Sequence, residues 1–403
     1  MGYVDTPSNN EIMNILFLSF YFEPDLCAGS FRNTPLFKEI MSRLGKNDYV
    51  HVITTLPNRY QSFEANAKAE EIGVNYKINR IQIPKHASGM VDQAKSFSVF
   101  YKNAFKLVKD EKFDLVYASS SRLFTAFLGR QMANKFHCPL YLDIRDIFVD
   151  TMKDIFKDKK YIQIPAMMVL KMIEKYTFQN ASHINLISGG FKGYFEKYSK
   201  PSKSYYTNGM DEVFIEAGKA PSVELKKPYI ITYAGNIGSG QGLEKIIPEA
   251  AKRLGNEYMF RIIGDGGTRP KLEEKIAELG ITNVELLKPV ARKELISYYR
   301  QSTFLFFHLN DLEAFKKVMP SKMFEYGAFD KPIIAGVGGY AYEFVKKNIP
   351  NHILFKPTDV DDFVKQMKEY TIRFESREKF KNEFSRTSID KQMANSILDC
   401  VKR

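Results

Sequence analysis

Cysteine is scarce: Cys27, Cys138 and Cys400 are the only three in 403 residues. They lie far apart and their number is odd, which argues against a disulfide framework and against metal-ligand spacing, so a reducing, cytoplasmic setting is expected. No apolar stretch approaches the ~18 residues of a membrane-spanning helix. Residues 1–10 have neither a basic leader nor an apolar core, so no secretory signal is expected, and residues 1–12 read as a disordered extension ahead of Met13. The six histidines are scattered, with no HExxH pair and no His/Cys cluster, and no metal site is expected. Neither a GxxxxGK[ST] phosphate loop nor a GxSxG serine elbow occurs. Charge has no single block either. The net charge of +12 is shared by both halves, and reads either as a Lys-rich solvated surface or as an attraction to anionic partners. Aromatic and basic residues are not interleaved in one patch as in single-strand binders, so nucleic acid is not an expected partner.

What the chain does contain is alternation. Short apolar runs such as Asn14-Ile15-Leu16-Phe17-Leu18-Ser19 and Val50-His51-Val52-Ile53-Thr54 alternate with helical periodicity, as at residues 31–44 and 97–109. Further strands are predicted at 74–78, 81–83, 114–118, 139–144 and 184–188. A turn-rich zone near 205–228 interrupts the pattern, which restarts with strands at 229–235, 258–264, 284–287, 304–309 and 333–336. Strands alternating with helices imply two α/β halves, each with a parallel sheet covered on both faces. The charged helical segment after Asp359 is expected to pack back across the first half. The length suits two domains, with bounds expected at 13–205 and 206–375, and a C-terminal helical segment at 376–403.

Ligands of open parallel sheets bind beyond the carboxyl ends of strands. That rule selects residues 24–32, including Gly29, Ser30 and Arg32, then 119–122, Arg145-Asp146 and Ser188-Gly189-Gly190 in the first half. In the second half it selects 236–242, 265–269, 289–292 (with Val290), 310–322 and 336–339. Residues 319–335 are the most informative. A helix is predicted to start at Pro320-Ser321-Lys322, with Ser321 as N-cap and Glu325 one turn in, ahead of a buried strand from Ile333. Unpaired amides and Lys322 suit a phosphate, and Glu325 could accept from two hydroxyls, so the stretch suits a nucleotide. An ordinary capped helix fits the same residues. Asn236, Gly238 and Gln241 follow a strand in a glycine-containing loop that would let backbone approach a phosphate, or would simply turn. Gly264-Asp265-Gly266 reads the same two ways. Asp146 with Arg145 suits an acceptor in the cleft, and an ion pair around Arg145 suits them equally. Residues 152–180 interleave apolar side chains with lysines, as at an anionic membrane surface or on a core helix with a basic outer face.

Taken in order, the segments resemble the GT-B glycosyltransferases of family 4, a large retaining group. Tyr21-Phe22-Glu23-Pro24 with Gly29 and Arg32 is similar to that family's first glycine loop, and Thr207-Asn208-Gly209-Met210-Asp211 with Phe214 to its interdomain signature. Tyr233-Ala234-Gly235-Asn236-Ile237-Gly238 with Gln241, Ile263-Gly264-Asp265-Gly266 and Pro320-Ser321-Lys322-Met323-Phe324-Glu325-Tyr326 complete the series. The resemblance covers about residues 13–375 and is closest to WbuB-like transferases of N-acetylated amino sugars in bacterial surface polysaccharide.

The resemblance implies two Rossmann-like domains facing a cleft. It also implies transfer of a sugar from a UDP-sugar donor to a polyprenyl-diphosphate-linked acceptor without a metal or other cofactor, at the inner face of the cell membrane. Donor binding is expected from Asn236, Gly238, Gln241, Gly264, Asp265, Gly266, Val290, Pro320, Ser321, Lys322 and Glu325. Catalytic roles are expected for Asp146, Arg145 and Lys322, and acceptor contacts for Gly29, Ser30, Arg32 and Ser188. Two departures stand out. The first of the family's paired glutamates falls on Lys317, leaving Asp311 or Glu313 as substitutes. Its diphosphate-holding Arg and Lys fall on Asn236 and Gln241, leaving Lys322 as the replacement cation. A nucleotide-sugar 2-epimerase on a related fold, or a non-catalytic basic binding protein, are the competing classes; no convincing acid/base pair for epimerisation is visible.

Overall fold

The computed structural model describes residues 12–25, 27–58, 67–84, 90–120, 123–156, 160–219 and 224–401. The extension expected at residues 1–12 therefore lies, apart from Ile12, outside the described residues, as do strand-end positions 121 and 122 and positions 157–159 of the lysine-rich stretch.

The first sheet comprises β1 (Asn14–Ser19), β2 (Tyr49–Thr55), β3 (Glu70–Ile72), β4 (Tyr76–Ile81), β5 (Leu115–Ser120), β6 (Leu140–Ile144), β7 (His183–Leu186) and β8 (Ser202–Ser204). Their spatial order is β3-β4-β2-β1-β5-β6-β7-β8. The second comprises β9 (Tyr229–Asn236), β10 (Tyr258–Asp265), β11 (Val284–Leu287), β12 (Phe304–His308), β13 (Ile333–Gly336) and β14 (His352–Phe355), in the order β11-β10-β9-β12-β13-β14. The pairings are parallel except β3 with β4. The central strands are apolar throughout because helices cover both faces: Ile15, Leu16, Phe17 and Leu18 of β1 are all fully buried. Chain direction across each sheet switches at one strand, β1 in the first and β9 in the second. Crevices for ligands open at such points.

Four strands depart from the sequence-based expectation. The strands expected at 74–78 and 81–83 form one strand, β4, because Asn79 and Arg80 do not turn. Asn79 bonds the buried His51 ring at 2.8 Å, and Arg80 pairs with Glu71 of β3 at 3.1 Å. Three strands were not anticipated: β3 and β8 are three residues each, and β14 only four between Pro350 and Pro357.

The chain joins the two domains twice. After the second sheet it returns through the helix Arg386–Leu398, whose Met393, Ala394 and Ile397 pack with Phe17, Leu36 and Ile40 of the first domain. The two crossings run side by side. Met210 N–H donates to Phe384 O and Arg386 N–H to Met210 O, both at 2.8 Å. Gly209 lies directly against the Arg386 backbone, where a Cβ would collide, which accounts for glycine in the Asn208-Gly209-Met210-Asp211 segment.

A buried polar strut reaches that hinge. Arg32 donates to both carboxylate oxygens of Asp143 at 2.7 and 2.9 Å, and to the carbonyls of Tyr206 and Thr207 at 2.8 Å. Asn185 adds a bond to Asp143 at 2.8 Å. Burial works against the charge of Arg32, but the Asp143 carboxylate overcomes it and holds the guanidinium pKa above its ordinary value. Burial likewise raises the Asp143 pKa, but Arg32 outweighs it and the net shift is downward. The assignment of Arg32 to the acceptor cleft is therefore corrected: it is buried, and its donors are occupied by Asp143 and by the hinge carbonyls.

Candidate active site

Between the domains, at the carboxyl ends of both sheets, lies a cavity of ≈ 400 Å³. The first domain contributes Ala28 and Phe31 after β1, Arg145 after β6 and Ile187 after β7. The second contributes Gly235 and Asn236 at the end of β9, His308 and Leu309 at the end of β12, and the segment from Val318 to Glu325. A smaller annex of ≈ 110 Å³ opens beside it, bounded by Gly264, Pro289, Val290 and Leu295 and sharing Phe31, Arg292, Lys322 and Glu325 with the main cavity.

Lys322 and Glu325 stand where the two spaces meet. They lie on one face of the short helix Lys322–Gly327, at i and i+3, and their charged ends are 3.2 Å apart. Ser321 stands at the expected N-cap position of this helix, but its side chain makes no capping bond. Glu325 is aimed by a second contact, from the hydroxyl of the fully buried Tyr299. Burial, and then the charge of Glu325, push the Tyr299 pKa well up, so this hydroxyl remains a donor at neutral pH. Behind it, Tyr326 accepts from Ala234 N–H at 3.1 Å, fixing the helix against β9. Gly235 leaves room for Lys322: a Cβ there would sit 3.2 Å from Cε.

The loop after β9 closes on itself. Asn236 Nδ2 donates to Gln241 Oε1 at 2.8 Å, and both residues line the cavity. Gly238 packs under Asn236 rather than lining the space, since a Cβ there would meet the amide. Asp265 accepts from Gly266 N–H at 2.8 Å and Gly266 abuts Ile237 O. These two residues shape the turn behind the cavity.

The other expected residues divide similarly. Arg145 lines the cavity, and its Nε makes no hydrogen bond although buried. Burial lowers its pKa while Asp143 opposes the shift. Gly29 supports it from below, where a Cβ would lie 3.0 Å from Nη1. Asp146 lines neither space: its carboxylate accepts from Thr151 at 3.3 Å, and burial raises its pKa to about 6. Ser30 is fully buried and donates to the carbonyl of Cys27 at 3.0 Å. Ser188 is also fully buried and donates to Lys317 O at 2.6 Å. Ser30 and Ser188 are therefore corrected from contact residues to supporting ones, while Asp146, half-buried, is held by Thr151. Glu313 is exposed and paired with Lys316, so it is not the missing cleft carboxylate, and Asp311 is also exposed and lines neither space.

Two cleft residues carried no assigned role in the sequence reading. Arg292 lies with its guanidinium 4.8 Å from the Phe31 ring and 4.7 Å from that of Phe214, paired with Asp211. Arg386 pairs with the same aspartate. The strand-end rule had reached 289–292 but held no signal for what Arg292 meets. Arg386 comes from the returning segment, far away in sequence.

Two parallel-sheet Rossmann-like domains facing one cleft, joined by a double crossing, define the GT-B architecture. Residues 215–386 match the family model described as Glycosyl transferases group 1. The match falls within the second domain and its return segment and spans less than half of the chain. A putative colanic acid biosynthesis glycosyl transferase, WcaI of Escherichia coli (strain K12), is 47% identical over 57 residues, a stretch spanning 14% of this chain and 14% of that protein. Among solved structures, sucrose-phosphate synthase from Thermosynechococcus elongatus superposes with a TM-score of 0.73 at 14% identity, covering 95% of this chain and 98% of that one. The apo lipopolysaccharide outer core galactosyltransferase WaaB gives 0.62 at 15% identity, covering 96% and 99%. Anabaena HepE in complex with UDP gives 0.57 at 14% identity, covering 97% of each chain.

Proposed function

We propose that this protein is a retaining glycosyltransferase. It moves a sugar, an N-acetylated amino sugar such as N-acetylfucosamine or N-acetylglucosamine, from a UDP-sugar to a polyprenyl-diphosphate-linked saccharide in bacterial surface polysaccharide (O-antigen or capsule) assembly. The observation that carries the reading is the pairing of Lys322 with Glu325 where the cavity meets its apolar annex. The annex between Gly264 and Val290 has the size and apolarity for a base. Glu325, held by Tyr299, accepts from ribose hydroxyls. Lys322 on the donor side and Arg145 on the acceptor side supply the positive charge a departing diphosphate needs, so the reading requires no metal ion. The HepE complex with UDP and the colanic acid and lipopolysaccharide assignments of WcaI and WaaB support the donor and the setting. The test is a panel of UDP-sugars incubated with lipid-linked saccharides, with the product linkage read by NMR. Transfer with retained anomeric configuration is expected from a UDP-N-acetylamino sugar, and its absence across the panel overturns the reading.

The acceptor class places the enzyme at the inner face of the cell membrane. No helix among the described residues is long and apolar enough to cross a membrane. The helix Lys160–Gln179 instead presents Tyr161, Ile164, Met168 and Met172 outward, at 62–78% exposure. Their spacing of three and four residues makes one stripe, with Lys171 and Lys175 on the same helix. Aliphatic and aromatic side chains beside lysines suit an anionic bilayer surface. Replacing Ile164, Met168 and Met172 together by Asp is expected to abolish co-sedimentation with anionic vesicles while transfer to a water-soluble acceptor analogue persists. Unchanged sedimentation would remove the membrane role.

A further inference from the structure

The segment Glu313–Lys317, one 3-10 turn of the donor domain, is clasped by the acceptor domain at three points. Lys317 Nζ lies 2.5 Å from Asp150 of the helix Phe148–Ile155. The Lys317 carbonyl accepts from Ser188 Oγ at 2.6 Å. Ala314 N–H donates to Asp154, also on that helix, at 3.0 Å. The fit is close. A Cβ on Gly190 would lie 2.5 Å from Lys317 O, and one on Gly189 would strike the Tyr340 hydroxyl. The two glycines after β7, with Ser188, thus serve the contact between domains. The Lys317 ammonium also lies 5.4 Å from the centre of the Tyr194 ring, whose hydroxyl is held by the buried Glu174 at 2.8 Å. Immediately after Lys317 the chain enters the cavity wall, through Val318, Met319 and Pro320 to Lys322.

We propose that Lys317 is a positioning residue that latches the cleft shut: its ion pair with Asp150, on the ring of Tyr194, holds the donor-binding segment 318–325 against the acceptor domain during transfer. The residue touches neither cavity itself. It acts through the segment that follows it, and through the exclusion of water that would otherwise take the donor sugar. Partly exposed ion pairs are individually weak, which suits a latch that must open for product release. A lysine rather than an acid at this position follows directly, because the facing groups are Asp150 on the helix and the aromatic ring of Tyr194. Glu313, the nearest acid on the turn itself, is occupied by Lys316.

The catalytic consequence rests on the transferase reading; the geometry is testable without it. Spin labels on exposed sites of the two domains, measured with UDP bound, report cleft width. Lys317→Glu and Asp150→Lys should each widen the distance distribution, and the double exchange should restore the narrow one. Acceptor-free release of UDP from UDP-N-acetylglucosamine should rise about tenfold relative to transfer in the single variants and return in the double, with UDP affinity nearly unchanged. Asp150→Asn, which adds no repulsion, should give a smaller effect in the same direction. Unchanged distances in Lys317→Glu, or a double exchange no better than its parents, would overturn the latch. A distance response without transfer on any donor would leave the latch standing and count against the transferase reading instead.

Discussion

Lys322→Ala lowers turnover by about 10²–10³, the loss found when one preorganised donor to a developing negative charge is removed, while UDP binds only a few-fold more weakly. The reasoning is positional. The ammonium pairs with Glu325 at 3.2 Å, and its stem passes over Gly235 at the end of β9. On the proposed function, a bound nucleotide recruits Glu325 to its ribose and leaves the lysine with the diphosphate. Its full value then falls on the state in which the sugar–phosphate bond breaks. Arg145 faces it from the other domain, and the Asn236–Gln241 pair beside it is neutral, so no residue of that loop replaces the lost charge. Glu325→Gln behaves differently. It retains a hydrogen-bonding oxygen but loses the charge, and affinity for UDP in calorimetry falls about tenfold, within the range of a charge-assisted bond. Equal loss of kcat and of affinity in Lys322→Ala would place the lysine in ground-state binding and remove its role in departure.

The contrast between Lys322 and Arg32 shows what can be read from a sequence. Lys322 and Glu325 are three residues apart on one short helix, between a Pro-Ser turn and the apolar strand β13, whose bounds Ile333–Gly336 are those expected from the apolar run alone. Local spacing carries all that information. Arg32 looked equally eligible, since it follows a glycine after the first strand. Its partners, however, lie 111 and 174 residues away, in Asp143 and the carbonyl of Tyr206, and no local pattern announces them. The same holds for Arg292 and Arg386, whose meeting at Asp211 depends on the chain crossing back. Asp146 was chosen for standing at a strand end; Thr151, one turn into the next helix, engages its carboxylate. Strand-end rules find the rim of the cleft. Which rim side chains face the ligand and which face the protein is decided by contacts distant in sequence.

Arg32→Ala is the more damaging change for the molecule as a whole. It leaves the carboxylate of Asp143, at 0% exposure, hydrogen-bonded only by the neutral Tyr117, Ser119 and Asn185, with Arg145 the remaining cation nearby, and it frees the carbonyls of Tyr206 and Thr207 at the hinge. Breaking a buried ion pair from one side costs about 3–5 kcal/mol. The variant is expected to show an early thermal transition by calorimetry. Because Arg32 depresses the Asp143 pKa, its contribution in the native protein is present in full at neutral pH. It disappears only as pH falls through that lowered value, so the gap between native and variant should narrow in acid. The double change Arg32→Met with Asp143→Leu removes both charges from the same space. Recovery of most of the lost stability in that double variant would assign the cost to the stranded carboxylate. A double variant as unstable as Arg32→Ala would instead assign it to the hinge carbonyls, and to the part Arg32 plays in holding residues 206–207 where the two domains meet.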